Sequence, residues 1–263
     1  MSTSTRADAT SFEGKVVVVT GGTKGIGRVI VEQFLAAGAD VLTCGRHAPD
    51  DLPTIGDKSA AFVEADLRDP EQGASFVDTA HERWGRVDVA INNAGGSPAV
   101  PAADASPRFT ESIIRLNLLA TLHVATAANR HMQLQEEGGS IVNIASVSAI
   151  RPSPGTAAYG AAKAGVLSLT QSLALEWAPK VRINAVTCGM IATEESMSQG
   201  HYGDAAATAR VAATVPLGRF GTPADVAAAC RYLASPMASY VTGTSLLLHG
   251  GGEWPAFHAA VAG

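Results

Sequence analysis

Seven short apolar runs separated by helical patterns constrain this chain more than any other feature of its sequence. The runs cover residues 15–20, 40–44, 60–64, 87–92, 140–145, 182–187 and 245–249. They are continuous rather than alternating, which is typical of parallel strands covered on both faces. Between the first two runs, Ile26, Ile30 and Phe34 recur at helical spacing before Gly38. The alternation predicts an α/β fold: a Rossmann-like, doubly wound parallel sheet of about seven strands with helices on both faces.

Local signals set helix starts and domain limits within this alternation. Asp69, Ser106 and Thr222 each precede a proline, so each is predicted to cap a helix that begins at that proline. The 263-residue chain contains no repeat and no low-complexity linker. We therefore expect residues 1–12 to be disordered and residues 13–263 to form a single domain. Residues 190–215, rich in small side chains, are predicted to form a mobile substrate loop.

Charge and cysteine content argue against several classes of partner. The net charge is −5 with no long run of one sign, which disfavours nucleic acid as a main partner. Residues 1–10 lack the apolar core of a signal peptide, and no run approaches the ~20 apolar residues of a membrane span. Cys44, Cys188 and Cys230 have neither CxxC nor zinc spacing, so neither a disulfide framework nor a metal site is predicted. We expect a cytoplasmic protein without nucleic-acid or membrane partners.

The first predicted strand leads into a glycine-rich turn, TGGTKGIG at residues 20–27. Gly21 allows the sharp turn out of the strand. Gly25 and Gly27 allow a pyrophosphate to approach the start of the next helix, where unpaired N–H groups and the helix dipole attract anions. An ordinary glycine-rich connection is the alternative. The position at the first strand–helix junction favours a phosphate-bearing ligand.

Ser146, Tyr159 and Lys163 form a candidate catalytic group. Ser146 closes a predicted strand, where its hydroxyl can donate a hydrogen bond to a carbonyl oxygen. Tyr159 and Lys163 are four residues apart, which places them side by side on a helix. A nearby ammonium favours phenolate, so Lys163 is predicted to lower the pKa of Tyr159 and make it a general acid and base near neutral pH. The alternative is an amphipathic helix with a buried tyrosine and a lysine that reaches solvent.

Together these segments resemble the short-chain dehydrogenase/reductase family over nearly the whole chain. The matching pieces are TGGTKGIG at 20–27, Asp66-Leu67, NNAG at 92–95, Asn117, Ser146, YGAAK at 159–163, IAT at 191–193 and PLGRFGTP at 216–223. The resemblance implies an oxidoreductase that moves a hydride between NADP(H) or NAD(H) and a carbonyl or secondary-alcohol substrate.

The resemblance also implies catalytic roles. Tyr159 would donate or accept the proton, and Ser146 would orient the substrate oxygen. Lys163 would hold the nicotinamide ribose and lower the pKa of Tyr159. Asn117 would keep a water in a proton relay to Lys163; the alternative is an asparagine that kinks a helix and bonds backbone.

Further residues are implied at the cofactor. Asp66 and Leu67 would contact adenine, and Asn93 would line the cofactor while tying two strands together. Ile191 and Thr193 would meet the carboxamide. Tyr159 and Lys163 are shared with the catalytic group, and the remaining positions are Gly21, Thr23, Lys24, Gly25, Ile26, Gly27, Arg46, Ala94, Gly95 and Gly189.

Two positions depart from the family's usual pattern. Cys188-Gly189 stands where the family often has Pro-Gly, and His249 replaces the acid of a Val-Asp-Gly-Gly segment. Cys188 is expected to be a small buried thiol. His249 is expected to be a core or interface residue without a catalytic role.

The end of the second strand predicts a preference for NADP(H). Enzymes that prefer NAD often place an acid there to hold the ribose 2′-OH, whereas this chain has Arg46. Arg46 and Lys24 together suit a dianionic 2′-phosphate. Arg46 can also stack on adenine, and the nearby Asp50 and Asp51 can weaken phosphate binding, so NAD(H) is the alternative cofactor.

The substrate is constrained only in its general chemistry. The expected pocket residues are Ser97, Ile150, Ser153, Pro154 and Met190, which are small or apolar. They favour an uncharged, partly apolar reacting end on a small ketone or alcohol.

Two alternative functions and one assembly prediction accompany this interpretation. A 3-oxoacyl reductase acting on acyl carrier protein or CoA substrates requires a basic surface beside the active site, and Arg108, Arg130 and Arg151 are too scattered to decide this. A non-catalytic dinucleotide-binding regulator is a remoter alternative, since no catalytic residue is lost. The helix after Tyr159 stays apolar as far as Trp177. The resemblance implies that such helices pair copies of the chain into a homodimer or homotetramer.

Overall fold

Strands and helices alternate along the chain in the computed structural model, which describes residues 10–198 and 203–254. The strands are β1 (Val16–Thr20), β2 (Asp40–Gly45), β3 (Thr54–Ile55), β4 (Lys58–Ser59), β5 (Ala61–Glu64), β6 (Val89–Asn92), β7 (Gly139–Ser146), β8 (Val181–Cys188) and β9 (Ser245–Leu248). The helices are α1 (Gly25–Ala36), α2 (Pro70–Trp84), α3 (Pro107–Ile114), α4 (Ala120–Leu134), α5 (Ala157–Trp177), α6 (Glu194–Ser198), α7 (Ala205–Ala213) and α8 (Pro223–Ala234).

Seven of these strands form one sheet in the order β5-β2-β1-β6-β7-β8-β9, and every neighbouring pair is parallel. Each strand predicted from an apolar run is present, so the doubly wound fold is confirmed. The order reverses between β1 and β6. Parallel sheets bind ligands outside the carboxyl ends of their strands at such a switch point. The fold therefore points to the ends of β1 and β6 as the place to look for a site.

The continuous apolar runs feed two separate cores. In β1, Val17 and Val19 face a core that contains Phe34 of α1 and Leu233 of α8. The alternate residues of the strand face a second core built with α2 and α4. Because successive side chains point to opposite faces of a sheet, an all-apolar strand is covered on both sides.

The three predicted helix starts are confirmed by their capping hydrogen bonds. The side chain of Asp69 accepts from the backbone of Glu71, and that of Ser106 accepts from Phe109. Thr222 forms a reciprocal capping box with Asp225 at the start of α8. Each of these helices therefore satisfies part of its first turn internally.

The N-terminal boundary lies earlier than expected. Phe12 is buried, its amide donates to the carbonyl of Ala37, and its ring packs edge-on against Phe34. The ordered fold therefore includes at least this residue of the expected disordered segment, while residues 1–9 lie outside the described residues. Within the expected substrate loop the structure describes α6 and α7, and residues 199–202 lie outside the described part.

The β3–β4 hairpin was not predicted. Its two strands are two residues each and largely polar, joined through Gly56 with φ +58°. No described helix is long and apolar enough to cross a membrane.

Candidate active site

A cleft of about 640 Å³ lies at the carboxyl ends of the strands, beside the point where the strand order reverses. The predicted site residues in its wall are Gly21, Lys24, Ile26, Gly27, Asn93, Gly95, Ser146, Tyr159, Lys163, Gly189 and Ile191. The expected pocket residues Ser97, Ser153, Pro154 and Met190 line it as well. The chain thus brings the glycine turn, the candidate catalytic group and the substrate pocket into one space.

The glycine turn leaves the start of α1 uncapped by its own side chains. Gly21 and Gly25 have φ of +64° and +55°, a region that favours glycine. Lys24 is the N-cap residue, yet its side chain makes no capping hydrogen bond to α1. A Cβ on Gly25 would meet only the methyl group of Thr193, at 3.9 Å. The turn therefore presents backbone N–H groups to open space, which suits a phosphate group.

Gly27 packs closely against the turn that precedes it. A Cβ at this position would lie 2.2 Å from the carbonyl oxygen of Gly21 and 2.5 Å from the side-chain nitrogen of Asn93. The missing side chain therefore lets α1 pack against the turn itself. Its predicted role in the approach of a phosphate stays a prediction.

Asn93 ties the end of β1 to the end of β6, as predicted. Its side-chain amide donates to the carbonyl oxygens of Thr20 and Gly21, at 3.0 and 3.1 Å. In return, the hydroxyl of Thr20 accepts from the backbone of Asn93 and Ala94, each at 2.9 Å. These bonds hold the two strand ends at fixed separation on the floor of the cleft.

The pKa of Tyr159 is higher in the structure than the sequence predicts. Burial raises the pKa of Tyr159 above its ordinary value, and a hydrogen bond with Ser146 offsets part of that rise. The ammonium of Lys163 lies 5.7 Å from the ring centroid, so the two side chains are neighbours as expected. Desolvation outweighs the lowering by the Ser146 hydrogen bond, and the pKa of Tyr159 shifts in the direction opposite to the one predicted.

Lys163 is a buried cation. Its side chain is 3% exposed and donates to the carbonyl oxygen of Ile144 at 2.8 Å. Burial lowers the pKa of Lys163 to about 8. No carboxylate of the described chain lies within ion-pair distance of it. The alternative of a lysine that reaches solvent is therefore wrong.

Asn117 lies in a π-helical turn, Arg115–Leu119, between α3 and α4. Its amide donates to the carbonyls of Gly96 and Ile113, and its side-chain oxygen accepts from the amide of Gly96. A Cβ on Gly95 would lie 2.6 Å from that oxygen and 3.2 Å from the Lys163 nitrogen. The structure thus shows the helix-distorting, backbone-bonding asparagine. The relay through a water stays a prediction.

Arg46 and Asp66 follow neighbouring strands at the outer end of the site. Asp66 is paired with Arg68, whose hydrogen bonds are the main reason that the pKa of Asp66 is lowered; the charge of Arg46 lowers it further. Arg46 itself forms no ion pair with any described residue. Leu67 is largely buried in the second core, and its predicted contact with adenine stays a prediction.

An ion pair near Arg46 was missed by the sequence analysis. Arg28 on α1 donates to Asp51 at 2.6 Å and to Glu32 at 2.9 Å. The expected interference of Asp51 with a 2′-phosphate is therefore reduced, because its charge is already compensated. The 23-residue separation of Arg28 and Asp51 gave no sequence signal for this pairing.

Thr193 and Gly189 hold the far side of the cleft. The amide of Thr193 donates to the hydroxyl of Ser196, and its own hydroxyl accepts from the amide of Ser196, so the two residues shape the start of α6. The amide of Gly189 donates to the carbonyl of Leu248 at 2.9 Å. Gly189 therefore stays fixed to the end of β9 despite the missing proline.

A second cavity of about 180 Å³ adjoins the cleft, and we call it the side chamber. Its lining includes Val147, Ile150, Arg151, Met190, His249 and Glu253. The expected pocket residue Ile150 belongs here rather than in the main cleft. Arg151 and Glu253 form an ion pair of 2.8 Å across the chamber, a contact between distant segments that the sequence did not reveal.

The described residues fit a dinucleotide. The uncapped start of α1 suits a pyrophosphate, the buried ammonium suits ribose hydroxyls, and the Arg46 side of the cleft suits the adenosine half. The first turn of α1, like that of α5, has no side-chain cap, whereas α2, α3 and α8 are capped by their own side chains.

Comparisons with known proteins agree with this geometry. A family model described as enoyl-(acyl carrier protein) reductase matches residues 21–253. A probable 2,4-dienoyl-CoA reductase of Bacillus subtilis is 34% identical over 92% of this chain and 98% of its own length. The 3beta-hydroxysteroid dehydrogenase 1 of Eggerthella lenta is 37% identical over 91% of this chain and 94% of its own. The crystal structure of a short-chain dehydrogenase/reductase, a glucose/ribitol dehydrogenase from Brucella melitensis, matches with a TM-score of 0.81 and 30% identity over 92% of this chain and 97% of that one.

Proposed function

This chain belongs to the short-chain dehydrogenase/reductase family and is a nicotinamide-dependent oxidoreductase acting on alcohol or carbonyl groups. We propose that it uses NADP(H) in preference to NAD(H). In this proposal Tyr159 is the general acid and base. The substrate in this proposal is a small ketone or secondary alcohol. The observation that carries it is the meeting of Tyr159, Ser146 and Lys163 in the one cleft that also holds the glycine turn.

The bound dinucleotide supplies or accepts the hydride. Tyr159 moves the proton at the substrate oxygen, and Ser146 donates a hydrogen bond to that oxygen. Because burial raises the pKa of Tyr159, its phenol is protonated at neutral pH and ready to act as an acid. The site is therefore set for carbonyl reduction near pH 7, and alcohol oxidation should accelerate as the pH rises.

Lys163 and Asn117 support this proton transfer. The Lys163 ammonium, anchored on Ile144, is placed to hold the ribose hydroxyls and to resupply a proton. Asn117 hydrogen-bonds both the amide and the carbonyl of Gly96 and so shapes the wall beside the lysine. The proposed relay requires both groups to keep these positions.

The preference for NADP(H) is supported by the charges at the outer end of the cleft. Arg46 follows β2 without an ion pair to any described residue. Asp51, one of the two aspartates expected to weaken phosphate binding, is paired with Arg28. Charge-assisted hydrogen bonds contribute roughly 1.5–3 kcal/mol each, less when exposed to solvent. A preference of about tenfold for NADPH follows.

Arg46→Asp tests this preference. We expect it to reverse the ratio of kcat/KM for NADPH over NADH, because it removes a cation and supplies an acceptor for the free 2′-OH. Arg83→Asp is the matched control, since Arg83 is an exposed arginine near the end of α2. A wild-type enzyme with a lower Kd for NADH than for NADPH would contradict the proposal.

Two of the three arginines considered for the acyl-carrier alternative are paired with acidic residues. Arg151 is paired with Glu253, and Arg130 is paired with Asp78 at 2.6 Å. A steady-state panel of ketones and alcohols, assayed with both dinucleotides, separates the small-substrate proposal from a 3-oxoacyl reductase. Turnover of acyl thioesters alone would replace the proposal with that alternative.

Self-association into a dimer or tetramer is part of the proposal. The exposed fraction of Leu175 on α5 is 85%, and Leu247 on the edge strand β9 is half exposed. Apolar side chains at such positions suit burial against a second copy. Sedimentation equilibrium should give a multiple of the 26.8 kDa chain, and a monomer at micromolar concentration would contradict this.

A further inference from the structure

One of the two positions that depart from the family's pattern, His249, lies against Gly189, and the other, Cys188, directly precedes that glycine. A Cβ on Gly189 would lie 2.7 Å from the Cβ of His249, so only glycine allows the imidazole to sit at this place. Cys188 pairs with Leu248 in the sheet, which brings the ends of β8 and β9 together. His249 therefore lies in the wall of the side chamber, while Cys188 lies in the wall of the adjoining cleft.

The side chamber shares its wall with the cleft where the reaction takes place. Val147, Arg151, Gly189 and Met190 line both spaces. Val147 directly follows Ser146, which bonds the substrate oxygen in the proposed reaction. A group attached to the reacting carbon can extend from the cleft into the chamber past these side chains.

The lining of the chamber combines three apolar side chains with three polar ones. Val147, Ile150 and Met190 supply the apolar part. The imidazole nitrogens of His249 make no hydrogen bond to any described residue. A neutral imidazole can donate at one nitrogen and accept at the other. The chamber therefore offers hydrogen bonds that the protein itself does not use.

Charge balance decides what kind of group these hydrogen bonds suit. Arg151 and Glu253 are paired at 2.8 Å, so their formal charges cancel. An anionic group at Arg151 would have to displace Glu253 or lie beside its carboxylate. A hydroxyl group, by contrast, can donate to Glu253 or His249 and accept from Arg151 without disturbing the pair. The chamber favours a neutral hydroxyl.

We propose that the side chamber is a specificity site that binds a hydroxyl group of a neutral, hydroxylated ketone or alcohol, with His249 as the specificity-determining residue. This inference rests on the proposed oxidoreductase function and names its substrate class. Discrimination arises because an analogue without the hydroxyl leaves these polar groups without a partner. We expect about a tenfold advantage in kcat/KM for the hydroxylated substrate, reduced from larger values because the chamber is open to solvent.

A matched panel of ketones tests the proposal on the full-length enzyme with its preferred dinucleotide. The neutral hydroxylated members are 4-hydroxy-2-butanone and 5-hydroxy-2-pentanone. Their methyl counterparts are 2-pentanone and 2-hexanone, and levulinate is the anionic counterpart. Initial rates give kcat and KM for each, so binding and turnover effects separate.

His249→Leu should abolish the advantage, bringing the hydroxyl-to-methyl ratio of kcat/KM to about one, mainly through KM for the hydroxylated ketones. His249→Asn keeps hydrogen-bonding capacity and should retain part of the ratio, which a merely structural role would not predict. His123→Leu is the control, because it makes the same change at a half-buried histidine on α4. This control should keep the wild-type ratio.

Each contrary result has a distinct meaning. An equal wild-type kcat/KM for hydroxyl and methyl ketones, or a ratio that His249→Leu leaves unchanged, would overturn the specificity site alone. Preference for levulinate would overturn the neutral substrate class, because the chamber would then bind anions. Failure to reduce any ketone of the panel would overturn the proposed function and this inference with it.

Discussion

The two edges of the sheet each contain a buried charge. At the amino-terminal edge, Asp88 is 7% exposed and contacts two cations and a backbone amide. At the carboxyl edge, Lys163 is 3% exposed and contacts a single backbone carbonyl. Asp88 accepts from the amide of Val16 at 2.9 Å and from Arg86 at 2.6 and 2.8 Å, with Lys15 at 3.3 Å. The buried charge of Asp88 is thus compensated by cations, whereas the buried charge of Lys163 has no carboxylate partner among the described residues.

The difference shows which edge is built for stability and which for chemistry. Glu137 completes the amino edge by pairing with Lys15 and Arg86, and Lys15 is the main reason that the pKa of Glu137 is lowered. Two cations and two anions balance there. A buried ammonium without a carboxylate partner costs free energy, and such groups cluster where chemistry needs them. Substitutions at the two edges should therefore act on different quantities.

The largest effect should follow from Tyr159→Phe. Loss of the phenol removes the general acid, which is typically worth ~10²–10⁴-fold in kcat. The free energy of unfolding should change by no more than about 1 kcal/mol, since a single hydrogen bond with Ser146 is lost. Single-turnover reduction and urea unfolding measure the two quantities. A variant that keeps a tenth of wild-type kcat would remove Tyr159 from the proposed role.

Lys163→Met should lower activity while raising stability. A pKa of about 8 in place of 10.5 means that burying the ammonium costs about 3 kcal/mol at pH 7. Met fills a similar volume without a charge, so part of that cost should return as stability, reduced by the unpaired carbonyl of Ile144. Cofactor binding should weaken at the same time, measured by dinucleotide fluorescence.

The pH dependence of this stability gain has a definite sign. Because the folded-state pKa of Lys163 is the lower one, the unfolded chain binds more protons between pH 8 and 10.5. Wild-type stability therefore rises through that window relative to the variant. The gap between the two proteins should shrink by roughly half from pH 7 to pH 9.5. A constant gap would mean that the charge of Lys163 is not what destabilises the carboxyl edge.

Asp88→Ala should have the opposite effect to Lys163→Met: it should lower stability and leave activity unchanged. It leaves the amide of Val16 without its partner and leaves Arg86 with only the exposed Glu137. Breaking a fully buried pair costs ~3–5 kcal/mol, and the partial exposure of Arg86 reduces this to roughly 2 kcal/mol. kcat should stay at the wild-type value once the protein is folded. A loss of kcat larger than the loss of folded protein would couple the amino edge to the site.

The fold was predictable because its signals are local. Continuous apolar runs, three capping residues before proline and the glycine turn each act within a few residues. The β3–β4 hairpin was missed because strands of two polar residues carry no periodicity. Phe12 was missed because a lone aromatic in a polar segment shows its core position only when Phe34 lies beside it.

The sequence predicted which catalytic candidates would lie together, but it did not predict the direction of the Tyr159 pKa shift. Four-residue spacing placed Lys163 beside Tyr159, but burial, which depends on the whole fold, reversed the expected shift of the tyrosine pKa. The pairs Arg28–Asp51 and Arg151–Glu253 join distant segments, so no local pattern reveals them. The roles of the cofactor-binding residues stay predictions.

Glu137→Gln should produce the smallest change in the free energy of unfolding. It tests whether Glu137 contributes to the ion-pair network around Asp88. The Glu137 side chain is 64% exposed, so its ion pairs with Lys15 and Arg86 lie largely in solvent. Such pairs contribute about 0–1 kcal/mol, and salt screens them within ~10 Å at 0.1 M. We expect a loss below about 1 kcal/mol at low salt that disappears at 1 M salt, with kcat unchanged. Asp88 keeps both cations in the variant, which is why the loss stays small. A loss as large as that of Asp88→Ala, persisting in high salt, would show instead that Glu137 holds Lys15 and Arg86 in place for Asp88 and that the edge acts as one unit.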